Sequence, residues 1–286
     1  MTKTTKILTI QDISCYGQCS ITVALPVISA FGIETAVLPS AILSTHTSGF
    51  SGYTLRDLTE DLPAIRKHWE KEGITFDAIY TGFIGSIEQF DYIKDIIESR
   101  LNPGGLVFVD PAMADHGEFY NGFNQDFADE MGKLCKTGDY ILPNTTEACY
   151  LLHKPWKPNF TKEEMLDMAN ELSTFTKRHV ILKGDNHKKD QLGMIVLDKN
   201  EPSNVEIVYN DRVDYISHGP GDVFASTFVG ATMTGRNPSA SAKIAGEVTK
   251  KAIEETLDDP THTYGVKFEK VIPQIPEILK LTTPPL

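Results

Sequence analysis

Hydrophobic residues along this chain occur in two patterns that alternate with each other. Short apolar runs rich in β-branched residues predict buried strands, and longer stretches with helical periodicity predict the helices between them. The predicted strands are Lys6–Ile10, Thr35–Leu38, Ala78–Thr81, Val107–Asp110, Tyr140–Leu142 and Val180–Lys183. The predicted helices lie near residues 18–31, 56–71, 87–100, 122–136 and 161–176. This alternation indicates an α/β fold with a doubly wound, mostly parallel central sheet flanked by helices.

The pattern changes after Lys183. The segments Leu192–Leu197 and Val205–Val208 flank a polar turn and predict an antiparallel hairpin, which would extend the sheet at one edge. Two further helices, near 221–234 and 239–257, complete the predicted core. Because no linker, low-complexity tract or internal repeat is visible, we expect one domain over residues 1–286.

Polar residues and glycines cluster where the predicted strands end. In an open parallel sheet, ligands bind in the crevice at the carboxyl ends of the strands. The polar ends are Gln11-Asp12, Thr81-Gly82-Phe83, Asp110-Pro111, Asn144-Thr145-Thr146-Glu147 and Lys183-Gly184-Asp185. The sequence therefore predicts a single crevice that gathers these groups.

The segment from His218 to Asp222 places two glycines and a carboxylate at the start of an apolar helix. Free N–H groups in a first helical turn, together with the positive end of the helix dipole, favour a phosphate or a developing oxyanion. A carboxylate beside such a site can accept a proton from an attacking hydroxyl. Gly219, Gly221 and Asp222 are thus candidate catalytic residues. The alternative is that Asp222 only caps the helix and the glycines only form a turn.

Three acidic residues, Asp110, Asp115 and Glu147, would project toward the same crevice. Carboxylate oxygens hold Mg²⁺, and water and substrate phosphates complete its shell. Each residue also has a local interpretation, because Asp110 precedes a proline and Asn144 with Glu147 fits a capping box. Beside Asp222, however, an acidic cluster next to an anion-binding helix end needs a bridging cation. We therefore expect a magnesium site.

The overall charge narrows the choice of partners. With 27 Lys and Arg against 39 Asp and Glu, the formal net charge is −12, which disfavours nucleic acid and anionic membranes. An acidic protein that binds a polyanion needs a local source of positive charge, such as a metal ion, a lysine or a helix N-terminus. Lys183 at a strand end either reaches a phosphate in this way or is solvated. The chain lacks an apolar segment of about 18 residues, the length of a membrane span, and its start lacks the apolar core of a signal peptide. We expect a cytoplasmic protein.

Several common chemistries are disfavoured. Four cysteines in a chain of this length do not make a disulfide framework, and Cys15 and Cys19 lack a second ligand pair, so we predict no zinc site. The P-loop, the dinucleotide-binding glycine motif and the nucleophile elbow of α/β-hydrolases do not occur.

Several segments occur in the order and spacing of one known family. The whole chain resembles the ribokinase superfamily, specifically its vitamin-kinase branch, and within that branch it looks most like the pyridoxal kinases. The segments that carry the resemblance are Ile10–Gly17, Thr45–Thr47, Gly82–Ser86, Asp110–Asp115, Pro143–Glu147 and Gly219–Asp222. The resemblance implies a ribokinase-like fold. It also implies transfer of the γ-phosphoryl group of ATP, with Mg²⁺, to the 5′-hydroxymethyl group of pyridoxal, pyridoxamine or pyridoxine.

The resemblance also implies residue roles. Asp222 matches the family's catalytic base, the loop Gly219–Gly221 matches its anion hole, and Asp110 and Glu147 match groups near the metal and phosphates. On the nucleotide side it implies Asn144, Thr145, Lys183 and Gly184, and around the pyridine ring it implies Asp12, Tyr16, His46 and Phe83. A homodimer is likewise implied, and a requirement for a monovalent cation stays open.

Three positions depart from the pyridoxal kinase pattern. Asp12 stands where serine is usual, Phe83 where tyrosine is usual, and Pro220 where a small residue or threonine is usual. Hydroxymethylpyrimidine kinases carry an aspartate at the first position, but the glycine-rich run that follows it in those kinases is missing here. A hydroxymethylpyrimidine kinase and a non-catalytic vitamer-binding homologue are therefore the alternative functions. A carboxylate at Asp12 favours an amine, which makes pyridoxamine a candidate substrate.

Overall fold

One nine-stranded sheet organises the chain. The structure is a computed structural model that describes residues 4–47, 49–213 and 218–281. The strands are β1 Lys6–Ser14, β2 Glu34–Leu43, β3 Leu55–Asp57, β4 Phe76–Thr81, β5 Leu101–Val109, β6 Ala114–Asp115, β7 Glu118–Phe119, β8 Tyr140–Ile141, β9 His179–Asp185, β10 Gln191–Asp198 and β11 Glu206–Asp211. The helices are α1 Ile21–Ser29, α2 Leu62–Lys71, α3 Gln89–Arg100, α4 Gln125–Cys135, α5 Thr145–Leu151, α6 Lys162–Leu172, α7 Pro220–Met233, α8 Pro238–Leu257 and α9 Ile275–Ile278.

The middle of the sheet is parallel, as the alternating pattern predicts. Its strand order is β11-β10-β9-β8-β5-β4-β1-β2-β3, and the pairings from β9 through β8, β5, β4 and β1 to β2 are all parallel. The predicted hairpin is confirmed, because β10 and β11 pair antiparallel at one edge. The α/β fold class is therefore confirmed. Within the described residues, none of the helices has the length and apolarity needed to cross a bilayer.

One edge strand and the start of one helix differ from the sequence prediction. A second antiparallel edge exists, where the three-residue strand β3 pairs with β2. The helix predicted over 56–71 was wrong at its start, because α2 begins at Leu62 after a short 3₁₀ turn. Strand β3 is exposed along its whole length, so it gives no buried period for a sequence pattern to detect.

The central strands are apolar because helices cover both of their faces. Along β5, Val107 and Val109 face the core that contains α3, α4 and α6, whereas Phe108 between them faces the core that contains α1, α7 and α8. A strand buried on both sides has no polar face and reads as a continuous hydrophobic run. Polar groups are therefore displaced to the strand ends, where a site can form.

Helix α7 is held on the sheet by a group of aromatic rings. Phe108 on β5 stacks on Tyr140 of β8 with ring centroids 4.8 Å apart, and both rings contact Phe228 of α7 edge-on, at 6.4 and 5.7 Å. Phe228 is fully buried. This contact fixes α7 against the sheet and thereby fixes where its N-terminus points.

We expect Phe108→Ala to lower the free energy of unfolding by about 3–5 kcal/mol, the usual cost of removing a buried aromatic side chain. Chemical denaturation would measure it. Leu192→Ala is the control, because Leu192 is 42% exposed and its loss should cost less than about 0.5 kcal/mol. Equal effects of the two substitutions would contradict this account of how α7 is held.

Candidate active site

A cavity of about 520 Å³ lies where the central strands end and α7 begins. Eleven of the fourteen predicted site residues line it: Asp12, His46, Phe83, Asp110, Asp115, Asn144, Glu147, Lys183, Gly219, Gly221 and Asp222. They come from the carboxyl ends of the parallel strands, from the segments that follow those ends, including β6 and α5, and from the loop and first turn of α7. The single crevice predicted from the strand ends is therefore present in the fold.

The loop before α7 depends on a glycine. Gly219 has a φ of +83° and is the N-cap of the helix, a left-handed conformation that favours glycine. A Cβ atom at this position would lie 2.1 Å from the backbone oxygen of Gln18, so a side chain is also excluded by space. A Cβ atom on Gly221, by contrast, would meet no atom within 4 Å. Gly219 therefore shapes the loop, while Gly221 keeps its cavity side open.

Asp222 stands in the first turn of α7, partly buried in the cavity wall. Burial raises the pKa of Asp222 to about 7, and the Asp110 carboxylate pushes it in the same direction. The nearby backbone N–H of Ser20 acts in the opposite sense. A carboxylate with a pKa near neutrality can both take and release a proton under ordinary conditions.

Lys183 pairs with Asp110 rather than extending into solvent. Its Nζ atom lies 3.1 Å from Oδ1 of Asp110, and the two side chains are only 17% and 6% exposed. Burial lowers the pKa of Lys183, but the carboxylates of Asp110 and Glu147 outweigh this effect and keep the amine protonated. Burial in turn raises the pKa of Asp110 despite its lysine partner.

Glu147 caps helix α5 and also lines the cavity. Its Oε2 accepts the backbone N–H of Asn144 at 2.8 Å, and the Asn144 side chain accepts the N–H of Glu147, so the predicted capping box of α5 is present. Burial raises the pKa of Glu147 to about 8, with repulsion from Asp110 adding to it and Lys183 opposing. The residue thus starts a helix and also places a carboxyl group in the cavity.

The charges of this cluster do not balance. Asp110, Glu147 and Asp222 contribute three carboxyl groups to the cluster, and Lys183 contributes one cation. Burial is the main cause of the raised pKa of each carboxyl group, and repulsion from Asp110 adds to it for Glu147 and Asp222. Hard oxygen donors beside an anion-binding helix end suit Mg²⁺. In the part of the chain that the structure describes, three metal-ligating side chains do not converge on one point. The magnesium site predicted on Asp110, Asp115 and Glu147 therefore stays a prediction.

On the side of β1, a further buried carboxyl group faces the cavity. Asp12 is 4% exposed and accepts a hydrogen bond from the Ser14 hydroxyl at 2.9 Å. Burial raises the pKa of Asp12, and the hydroxyls of Ser20 and Ser14 act against that rise. His46 lies nearby, with Nε2 3.2 Å from the backbone oxygen of Tyr264.

The aromatic residues predicted around a ring separate into two groups. Phe83 lines the cavity and contacts Phe123 with ring centroids 5.2 Å apart. Tyr16 does not line the cavity; it is 50% exposed and packs on Tyr264 and Phe50 at 4.7 and 6.1 Å. Its role in binding stays a prediction.

Two residues predicted for a nucleotide also lie outside the cavity lining. Thr145 and Gly184 are neighbours, since a Cβ on Gly184 would lie 3.3 Å from Cγ2 of Thr145. Gly184 has a φ of +105° inside β9, at the point where the pairing with β10 shifts register, so its left-handed conformation accommodates a bulge in the strand. Both residues lie beside Lys183, and their role in nucleotide binding stays a prediction.

Sequence reasoning missed several cavity residues. Ser20 precedes an apolar helical run, a position that predicts a helix cap rather than a site residue. Tyr120 lines the cavity, and burial followed by the charges of Glu147 and Asp115 raises its pKa well above the usual value. Its position directly after the short strand β7 carries no sequence signal. His218 also lines the cavity. In the sequence it is only the first residue of the segment from His218 to Asp222, and it carries no predicted role there.

Comparison with known proteins identifies the family to which this chain is similar. Residues 21–266 match the family model described as phosphomethylpyrimidine kinase. The chain is 23% identical over 260 residues to a pyridoxine/pyridoxal/pyridoxamine kinase of Bordetella pertussis, covering 88% of this chain and 89% of that protein. Among solved structures, a Bacteroides thetaiotaomicron protein provisionally described as a phosphomethylpyrimidine kinase, solved with pyridoxal, is 30% identical with a TM-score of 0.90 and 96% coverage of both chains. Pyridoxal kinase from Lactobacillus plantarum is 29% identical with a TM-score of 0.88, covering 97% of this chain and 98% of that one.

The fold and these similarities define a kinase, a phosphotransferase with an alcohol group as acceptor. The chain belongs to the phosphomethylpyrimidine kinase family. The resemblance to the ribokinase superfamily and to pyridoxal kinases is thereby confirmed.

The raised pKa of Asp222 allows a stability test that needs no substrate. An aspartate in the unfolded chain ionises near pH 3.9, whereas the folded-state pKa of Asp222 is about 7. Ionisation between these values costs folding free energy, and the loss is complete above the folded-state pKa. We expect Asp222→Asn, in EDTA, to gain melting temperature relative to wild type as the pH rises from 5 to 8.

Asp167→Asn is the control for this experiment, because Asp167 is exposed on α6. Its melting temperature should follow wild type at both pH values. A difference between Asp222→Asn and wild type that stays constant with pH would show that the Asp222 carboxylate is not strained by burial.

Proposed function

We propose that this protein is an ATP- and Mg²⁺-dependent kinase that phosphorylates the 5′-hydroxymethyl group of a vitamin B6 vitamer. The observation that carries the proposal is the position of Asp222, with a pKa of about 7, at the N-terminus of α7 inside a cavity lined by further carboxylates. The pyridoxal in the Bacteroides structure supports the choice of acceptor. The Bordetella kinase carries all three vitamers in its description, which supports the same class.

In the proposed reaction, Asp222 acts as the base and the first turn of α7 binds the transferred phosphoryl group. Asp222 accepts the proton of the acceptor hydroxyl as the hydroxyl oxygen attacks the terminal phosphorus of ATP. The bond from that phosphorus to the bridging oxygen breaks, and ADP is the leaving group. The free N–H groups of the first turn of α7 face the transferred phosphoryl group, and the helix dipole stabilises its charge. Pro220 removes one donor from this turn, so the N–H groups of Gly221 and Asp222 carry that interaction.

Asp110 and Glu147 would hold the magnesium ion, with Asp115 at the rim of the cavity. When bound, the ion would supply positive charge that offsets the charge of the phosphates. Lys183 is bound to Asp110, so it reaches the phosphates from a fixed position. Asn144, Thr145 and Gly184 lie beside these groups and complete the proposed nucleotide side.

The acceptor ring would lie toward β1, between Asp12, His46 and Phe83. Asp12 offers a buried carboxylate to a protonated ring nitrogen or an aminomethyl group. Tyr16 would close the outer side of this subsite. A homodimer and a cytoplasmic location, which follow from the resemblance and the sequence, remain predictions.

A second candidate is hydroxymethylpyrimidine phosphorylation, and two observations favour it: the description of the matching family and the aspartate at position 12. ATP consumption with pyridoxal, pyridoxamine, pyridoxine and hydroxymethylpyrimidine separates the candidates. We expect turnover of a B6 vitamer to exceed that of the pyrimidine. Binding of a vitamer without any turnover would instead identify a non-catalytic homologue.

Replacing the proposed base tests the mechanism. We expect Asp222→Asn to lower kcat by about 10²–10⁴, the range for losing a general base, with little change in the KM for MgATP. In wild type, kcat/KM should rise as the pH increases through about 7, because the base must be ionised. Asp167→Asn should behave as wild type. Retention of more than half of kcat by Asp222→Asn would remove Asp222 from this role.

Replacing Asp12 tests the choice of vitamer. An ionised Asp12 accepts a charge-assisted hydrogen bond from an aminomethyl group, whereas a neutral aldehyde offers no such donor. We expect wild type to favour pyridoxamine over pyridoxal, and Asp12→Ser to narrow that gap by about 1–3 kcal/mol, measured as the ratio of the two kcat/KM values. An unchanged ratio would assign vitamer selection to Tyr16, His46 or Phe83.

A further inference from the structure

A row of three residues crosses the antiparallel edge of the sheet that β9, β10 and β11 form. Gly193 on β10 is paired with Asp185 of β9 on one side and with Tyr209 of β11 on the other. A Cβ atom on Gly193 would lie 2.8 Å from both Oδ2 of Asp185 and Cε1 of Tyr209. Because glycine occupies this position, the Tyr209 side chain can reach across β10 to Asp185.

The carboxyl group of Asp185 accepts every hydrogen bond of this row. The residue is 1% exposed, and its Oδ2 accepts the Tyr209 hydroxyl at 2.5 Å. Its Oδ1 accepts the backbone N–H of His187 at 3.3 Å and also contacts Nδ1 of the His187 ring. Burial raises the pKa of Asp185, but the hydrogen bonds from Tyr209 and His187 outweigh this effect and hold the pKa below its usual value. Asp185 is therefore a buried carboxylate with its partners in place.

These contacts orient the loop between β9 and β10, residues 186–190. His187 is bound to Asp185 through its backbone and its ring. The next residue follows the same row, because the ammonium group of Lys188 lies 3.9 Å from the centroid of the Tyr209 ring, within the range of a cation–π interaction. Two consecutive loop residues are thus fixed by one carboxylate and the tyrosine bound to it.

The loop is basic and adjoins the proposed nucleotide side of the cavity. Its residues 187–189 are His-Lys-Lys and are exposed, in a chain whose formal net charge is −12. The same strand β9 carries Lys183, which lines the cavity, and Gly184, which packs against Thr145. A nucleotide whose phosphates lie beside Lys183 therefore places negative charge next to this loop, and opposite charges favour that contact.

We propose that Asp185 and Tyr209 are positioning residues that hold the basic loop 186–190 beside the phosphates of the bound nucleotide. This inference rests on the nucleotide side of the proposed function. Asp185 acts through His187 directly and through Lys188 by means of the Tyr209 ring. Loss of this anchor should weaken binding of MgATP and leave the chemical step and the binding of the acceptor unchanged.

Tyr209→Phe tests the anchor, because it removes the hydroxyl that Asp185 accepts and keeps the ring beneath Lys188. We expect it to raise the Kd of a non-hydrolysable ATP analogue with Mg²⁺, measured by calorimetry, by about 3–10-fold, the effect of one lost hydrogen bond. The KM for MgATP should rise by the same factor, whereas kcat and the KM for the vitamer should not change. Asp198→Asn is the matched control and should bind the analogue as wild type does, because it breaks the pair with His179 at the opposite end of β9 and β10.

Two lysine substitutions show whether the anchor acts through the charge of the loop. Lys188→Gln together with Lys189→Gln should raise the same Kd by about 3–10-fold, the scale of exposed charge pairs. In that background Tyr209→Phe should have little further effect, because the charge that it positions is gone. Trypsin gives a readout that does not depend on activity. Cleavage after Lys188 and Lys189 should be slowed by the ATP analogue in wild type and accelerated by Tyr209→Phe.

An unchanged analogue Kd in Tyr209→Phe would overturn the inference, and so would full additivity of Tyr209→Phe with the two lysine substitutions. A lower melting temperature of Tyr209→Phe with an unchanged Kd would reduce the row to a structural feature of the sheet edge. Failure of the proposed function is seen separately, as wild type that binds the ATP analogue but phosphorylates none of the vitamers. In that case the Kd comparison still decides what the loop does.

Discussion

The arrangement of the cavity depends on several buried carboxyl groups, of which Asp222 and Glu147 still hold protons near neutral pH. Three carboxyl groups, on Asp110, Glu147 and Asp222, share the one buried cation of Lys183. Such a cluster is unfavourable in a folded protein by itself. It becomes favourable when a divalent cation and the N–H groups of a helix end bring phosphates into the same space, which is the situation of phosphoryl transfer.

The fold supplies the restraints that hold this charge in place. Both faces of the parallel strands are buried, so the polar residues at their carboxyl ends are all directed to one edge. Helix α7 brings Asp222 to that edge, and the Phe108, Tyr140 and Phe228 rings keep the helix from shifting. Rigidity of this kind suits a site in which positioning and electrostatics do most of the catalysis.

The sequence predicted the parts of the site that follow periodic or local rules. The parallel core, the hairpin of β10 and β11 and the capping box at Asn144 could all be read from short segments. The pairing of Lys183 with Asp110 could not, because it joins residues 73 positions apart through the sheet. Ser20 was hidden for a different reason, since a serine before an apolar helical run predicts a helix cap, and only the folded chain shows that the residue lines the cavity.

The most direct test of the unbalanced charge is proton release on binding the metal. Titration of the protein with Mg²⁺ at pH 7, with a non-hydrolysable ATP analogue present, is followed by calorimetry in two buffers of different ionisation enthalpy. A titration of the analogue alone is subtracted. With pKa values of about 7 for Asp222 and about 8 for Glu147, the account predicts net release of protons as the cation lowers both pKa values. Identical heats in the two buffers would contradict it.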